Sequence, residues 1–294
     1  MWALVPASTP VLGNFRGRAV ASPRSARFRP VEGGTMTGGT VRPMTRVRAR
    51  TPAQPDQPFR LSLLGGWDLQ AGGEGVAMSS NGQRLLAFLA LRGRTQRDYL
   101  AGILWPESDE QSALANLRTT LWRVRQRAKG AVISTSHELQ LAPLVTLDVD
   151  GLVAAGRYLV RQDSAESPAD CAEIGRDLAR HAPLLPGWYD DWVLTERESL
   201  QQLQVHALEV AAERLVQSHH LGAALEIAQA ATQVEPFRET AHCAVVKVLL
   251  QQANPAQAVR HYQRYERLLD RELGIEPSPN LRDLVRPVLA RSQA

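Results

Sequence analysis

Three places in the chain pair residue types that carry chemistry elsewhere. Asp190 and Asp191 are adjacent carboxylates, His219 and His220 adjacent imidazoles, and His242 and Cys243 an imidazole beside a thiol. Paired carboxylates suit acid and base catalysis, and imidazole with thiolate suits metal ligation. The spacing argues against both. Neighbouring helical residues point to different faces, so neither histidine pair makes a ligand set by itself. Asp190 and Asp191 precede Trp192 and a long helical pattern, where one is expected to cap the helix and the other to meet its dipole. GxSxG, HExxH and CxxC do not occur, and "AGGEG" at 71–75 lacks the Lys-Ser/Thr of a phosphate loop. The chain does not read as an enzyme, and neither a cofactor nor a metal is expected.

The stronger signal is charge. "NLRTTLWRVRQRAKG", residues 116–130, holds Arg118, Arg123, Arg125, Arg127 and Lys129 and no acid. The net charge of +4 conceals a division along the 294 residues. Residues 1–58 carry nine arginines against two acids, residues 59–130 ten bases against six acids, and the remainder fifteen bases against twenty-two acids. A basic front and a back with a net charge of −7 suggest different partners for the two ends, with the front directed at a polyanion and the back away from nucleic acid.

The elements that must position those cations can be read from periodicity. Residues 1–58 show no period and read as a disordered basic extension. Their composition also resembles a transit peptide, and Met36 or Met44 offers a later start. From Phe59, alternation at Leu61 and Leu63 and again at Trp67 and Leu69 predicts short strands, with a hairpin turn at the glycines of 71–75. Ser80 is placed to cap a helix carrying Leu85, Phe88 and Leu89, and a second helix through Tyr99, Leu100, Ile103 and Leu104 ends at Trp105-Pro106. The third begins near Asp109, has acids at its positive end and bases at its negative end, and stops at Gly130. Residues 132–147 alternate around Ser136-His137 as a hairpin. Strands, three helices and a hairpin are the order of a winged helix-turn-helix, whose third helix is the reader.

In that helix Leu114, Leu117, Leu121 and Val124 form one stripe, which must face the core. The opposite side then presents Ser112, Ala115, Asn116, Thr119, Arg123 and Gln126, with Arg118, Arg125 and Arg127 at the margins. Asn, Gln and Arg can donate to base edges, and marginal arginines reach phosphates. On an isolated helix this would be an ordinary solvated face. Solvated faces, however, mix signs to keep i,i+4 pairs favourable, and this one carries only bases after Glu110. The DNA-binding residues expected are therefore Ser112, Asn116, Arg118, Thr119, Arg123, Arg125, Gln126 and Arg127. Trp122, beside them, is expected to pack on the wing or a neighbouring subunit.

Residues 150–294 are helical in pattern and repeat. A shift of 34 superposes Ala207 on Ala241, Leu215 on Leu249, Gln217 on Gln251 and Ala224 on Ala258, which is the period of tetratricopeptide helix pairs. The fold class is therefore mainly α, with an N-terminal α+β winged helix-turn-helix over 59–149 followed by an all-α helical repeat domain over 150–294. Such repeats offer concave surfaces for protein contacts. Cys171 and Cys243 do not suggest a disulfide, and no apolar run is long enough to span a membrane.

Three phrases, "ILWPESDEQSALANLRTTLWRVR" (103–125), "APLLPGWYDDWVLTERESL" (182–200) and "HYQRYERLLDRELGIEPSPNLRDLV" (261–285), resemble the antibiotic-regulatory (SARP) family. Its members join an OmpR-type winged helix to a bacterial transcriptional activator domain, and the resemblance covers about residues 59–290. It implies a cytoplasmic activator that binds double-stranded DNA at promoter-proximal direct repeats, often as a homodimer, and recruits RNA polymerase. The other reading of the same residues is a helical-repeat adaptor whose winged helix binds protein.

Overall fold

The computed structural model describes residues 58–161 and 167–291; the expectations for residues 1–57 lie outside them. Strands β1 (Phe59–Ser62), β2 (Asp68–Ala71) and β3 (Glu74–Gly75) open the chain, followed by helix α1 (Ser80–Arg92), β4 (Thr95–Gln96), α2 (Arg97–Leu104) and α3 (Glu110–Arg127). Strands β5 (Val132–Ser134), β6 (Glu138–Leu141) and β7 (Val145–Leu147) come next. Helices α4 (Asp148–Val160), α5 (Pro168–Arg180), α6 (Asp191–Gln217), α7 (Leu221–Val234), α8 (Glu239–Gln251), α9 (Pro255–Leu273) and α10 (Pro279–Arg291) complete it. Among the described residues the fold is mainly α, with strands confined to the front half, as the periodicity indicates.

The wing is shorter than the alternation suggests. β5 and β6 pair antiparallel around the tip, but β7 leaves them and joins β1 in parallel, with Phe59 opposite Val145 and Leu61 opposite Leu147. The result is a four-stranded sheet, β3-β2-β1-β7, and a separate sheet, β4-β6-β5. A second departure is at α1, which is capped by Ser79 and not by Ser80: the Ser79 hydroxyl accepts from the Gly82 N–H. Gly82 also allows α1 to cross α3 closely, because a methyl group there would lie 2.8 Å from Met78 and 3.3 Å from Val124 Cγ2.

In the back half the 34-residue period extends to the backbone of the turns. His219 (φ 60°) and Ala253 (φ 54°) occupy the same left-handed position 34 residues apart. His219 N–H donates to Val216 O at 3.0 Å and Ala253 N–H to Leu250 O at 3.1 Å. His220 and Asn254, one residue later, donate to Leu215 O and Leu249 O at 2.8 and 2.9 Å. Two helix pairs, α6–α7 and α8–α9, are thus built on one plan, and their superposed residues Ala207, Ala241, Ala224 and Ala258 are all fully buried.

The two halves share a continuous core. The Asp148 carboxylate, at the start of α4, accepts from the N–H groups of Leu63 and Leu64 at 3.0 Å. Leu185 N–H donates to Leu63 O at 2.8 Å and Gly65 N–H to Pro183 O at 2.9 Å, so the α5–α6 connection adds a short rung beside β1. The capping expected of Asp190 is not made: no side chain caps α6. Its carboxylate is instead held by Arg84 of α1, whose Nε donates at 3.0 Å. One turn along α6, Arg92 pairs with the buried Glu196 at 2.8 Å, and Trp192 packs edge-on against Phe88 with ring centroids 5.1 Å apart.

Candidate nucleic-acid interface

Helix α3 forms where its sequence places it. The Asp109 side chain accepts from the Ser112 N–H at 2.9 Å, and this hydrogen bond holds the carboxyl below its usual range. The helix ends at Ala128, and Gly130 takes the left-handed turn beyond it at φ 88°. Leu117, Leu121 and Val124 are buried, with Ala113 and Thr120 beside them, while Leu114 is only half-buried. That anchoring fixes the rest: Ser112, Asn116, Arg118, Thr119, Arg123, Arg125, Gln126 and Arg127 are all exposed on one continuous surface. Asn116, Thr119, Arg123 and Gln126 follow a single line along it, since steps of three, four and three residues keep to one side of a helix.

Among the described residues, Arg118, Arg123, Arg125, Arg127 and Lys129 make no ion pair or hydrogen bond with a carboxylate. Two of the nearby acids are engaged elsewhere. Glu138 of the wing pairs with Arg94 at 3.3 Å, and Asp109 is taken by the helix start. Positive charge on this helix is therefore not neutralised by carboxylates among the described residues. Of the two expectations for Trp122, packing on the wing or on a neighbouring subunit, its 62% exposure on the same outward face disfavours the wing.

The wing is oriented by a residue that sequence reasoning missed. Arg97 Nη1 donates to Thr135 O at 2.9 Å and to Ser134 Oγ at 3.2 Å, and its N–H donates to His137 O at 2.9 Å. No local pattern marks Arg97, because its partners lie in a strand pair roughly forty residues away. An open groove of about 640 Å³ runs between Arg97, Asp98, Leu114, Arg118 and the wing-tip residues Ser136 and His137. Arg118 is one of its lining residues.

The residues set aside as chemistry behave structurally. His219 and His220 sit in the α6–α7 turn. His242 is buried and stacks on Tyr265 with centroids 3.8 Å apart. Its Nε2 lies 2.9 Å from Pro236 O, which can only accept, so Nε2 carries the proton and Nδ1 accepts from His261 Nε2–H at 3.0 Å. Burial pushes both imidazoles down, His261 to about 4. Burial pushes the Cys243 thiol up, which makes it a poor nucleophile. Among the described residues no group of three His, Cys, Asp or Glu side chains is placed to hold a metal ion.

The histidine pair gives a pH prediction. An imidazole held down by folding binds fewer protons than the unfolded chain between its folded value and about 6.5, so stability falls as pH drops through that window. Taking His261 at about 4, the loss from pH 7 to pH 5 is on the order of 1–2 kcal/mol. Glu196, pushed up by burial, works in the opposite sense. The comparison is therefore with His242→Gln/His261→Gln, which retains Glu196. Urea unfolding at the two pH values is expected to show the wild-type loss and a smaller or reversed one in the variant.

Comparison with known proteins places this arrangement. Residues 148–289 match the family described as bacterial transcriptional activator domain. The chain is 31% identical over 272 residues to the regulatory protein AfsR of Streptomyces coelicolor, covering 88% of this chain and 27% of that protein. It is 27% identical over 265 residues to AfsR of Streptomyces griseus, covering 84% of this chain and 26% of that protein. The chain thus spans about a quarter of the length of these two relatives. The fold is similar to that of Mycobacterium tuberculosis EmbR, solved in complex with a low-affinity phosphopeptide, with a TM-score of 0.61 and 20% identity over 80% of this chain and 66% of that one. Among the described residues no helix is long and apolar enough to cross a membrane. With an activator domain over residues 148–289 and AfsR as a relative across most of its length, the chain belongs to the SARP-type regulators.

Proposed function

We propose that the chain is a DNA-binding transcriptional activator working in the cytoplasm, in which α3 reads double-stranded DNA from the major groove. Residues 59–149 form the DNA-binding unit, and residues 150–294 offer the surface for RNA polymerase or a second copy of the chain. One observation carries this reading. The eight residues expected at the interface share one exposed face, and the guanidinium groups among them have no carboxylate partner among the described residues. A cationic surface with Asn, Thr and Gln along its centre suits a groove, where phosphates meet the margins and base edges meet the middle.

The wing tip, "STSHEL", brings one histidine and no arginine, so minor-groove contact adds little. Arg97→Ala, which removes the guanidinium bonds to Ser134 and Thr135 but keeps the backbone bond to His137, is expected to weaken DNA binding by only a few-fold, measured by gel shift. The central experiment is a gel shift of the full chain on its own upstream region and on random duplex across a salt series. Four to six phosphate contacts give a log–log slope of about −4 to −5. Absence of binding to either duplex at low salt would leave the adaptor reading.

A further inference from the structure

Helix α9 buries Ala258, Tyr262, Tyr265 and Leu269. Its other side carries Arg260, Arg264, Arg267 and Arg271, all exposed. At about 100° per residue these four fall within roughly 40° of one line parallel to the axis, directly opposite the buried residues. With a rise of about 1.5 Å per residue the line is some 16 Å long. The acids of the helix do not neutralise it. Glu266 accepts from the Tyr262 hydroxyl at 2.9 Å, and Glu272 pairs only with Arg271, the last of the four, at 2.7 Å. Arg260, Arg264 and Arg267 make no ion pair among the described residues, and neither does Asp270 on the flank.

Like charges three or four residues apart weaken a helix by a few tenths of a kcal/mol per pair, so a face meant only for water gains from mixing signs. The net charge of residues 131–294 is −7, which makes an all-arginine line a segregation of charge and not a reflection of composition. The residues beside it are Ala256, Gln257 and Gln263, and no large apolar side chain is exposed along it. A protein partner would need an apolar centre to its interface. A phosphate backbone needs none, and it is held by Arg and Gln donors. Duplex DNA carries a negative charge about every 1.7 Å of its axis, so a line of this length passes roughly ten phosphates.

We propose that the arginine line of α9 is a second, sequence-independent DNA-binding surface that holds the phosphate backbone of duplex DNA, separate from α3. It does not depend on α3 reading bases. The test therefore uses a full-length chain whose reader is neutralised, Arg118→Ala/Arg123→Ala/Arg125→Ala/Arg127→Ala, and follows fluorescence anisotropy of a labelled random duplex through a salt series. This chain is expected to keep weak binding with a log–log slope of about −2 to −4, which is two to four contacts. Adding Arg264→Glu/Arg267→Glu should lower the residual affinity at least tenfold, whereas Arg264→Lys/Arg267→Lys should leave it within about three-fold. All four side chains lie on the surface, so circular dichroism and the melting temperature should stay at the parent values; if the glutamate pair unfolds the chain, Arg264→Gln/Arg267→Gln is read in its place. The proposal is overturned if the reader-neutralised chain ignores DNA at low salt, or if charge reversal on α9 leaves the slope unchanged. It is also overturned if polyglutamate competes as well as duplex, which would make the line a site for acidic protein. The reading of α3 fails separately, if neutralising α3 leaves wild-type affinity for the cognate site intact.

Discussion

Alanine at Arg123 is expected to weaken binding to the cognate site by about 1–3 kcal/mol more than binding to random duplex, a gap of roughly 5- to 150-fold. The expectation rests on where the side chain stands. Arg123 shares a line with Asn116, Thr119 and Gln126 on the side of α3 away from Leu117, Leu121 and Val124, so it meets the floor of a groove when the helix enters one. Arg118 and Arg125 lie on one flank and Arg127 on the other, nearer to where the strands' phosphates would run. Alanine at any of these three should weaken cognate and random duplex alike, and each should reduce the salt slope by about 0.9. Competition gel shifts with both duplexes separate the two behaviours. An equal loss on both for Arg123→Ala makes it a phosphate contact and moves sequence reading to Asn116, Thr119 and Gln126.

That face was legible because a helix with four apolar residues at helical spacing has only one orientation against a core. The repeat was legible for a similar reason: superposed alanines mark where two helix pairs must pack closely, and the turns follow with the same hydrogen bonds. What local pattern does not reveal is long-range partnership. Val145 and Leu147 alternate as well as Leu139 and Leu141 do, but β1 offers β7 a parallel neighbour and draws it out of the wing. Asp190 has the position of a cap, yet Arg84, more than a hundred residues earlier, claims its carboxylate. The same limit hid Arg97, whose partners are in the wing. The arginines of α9 were masked differently, since a net charge summed over a whole half says nothing about which side of one helix its cations share.

Replacing Trp192 by alanine is expected to have the largest effect on stability, a loss of about 3–5 kcal/mol, from the cavity it leaves between α1 and α6. Trp192 is 8% exposed and lies edge-on to Phe88, itself 1% exposed, with Arg84–Asp190 and Arg92–Glu196 on either side of it. The indole N–H has no hydrogen-bond partner among the described residues, so the expected loss is one of packing. Trp192→Phe, which keeps a ring in the same place, should therefore recover most of it. Because this contact joins the strand-containing front half to the helical half, the wild-type chain should unfold in urea as one transition, and Trp192→Ala should split it into two. A second readout bears on activation. If the helical half must be held at a fixed angle to the reader, Trp192→Ala at low temperature should retain DNA affinity within a few-fold while losing activation of a reporter promoter. Two separate transitions in the wild-type chain would show that the halves are stable independently, and the shared core between Phe88 and Trp192 would then be contact without coupling.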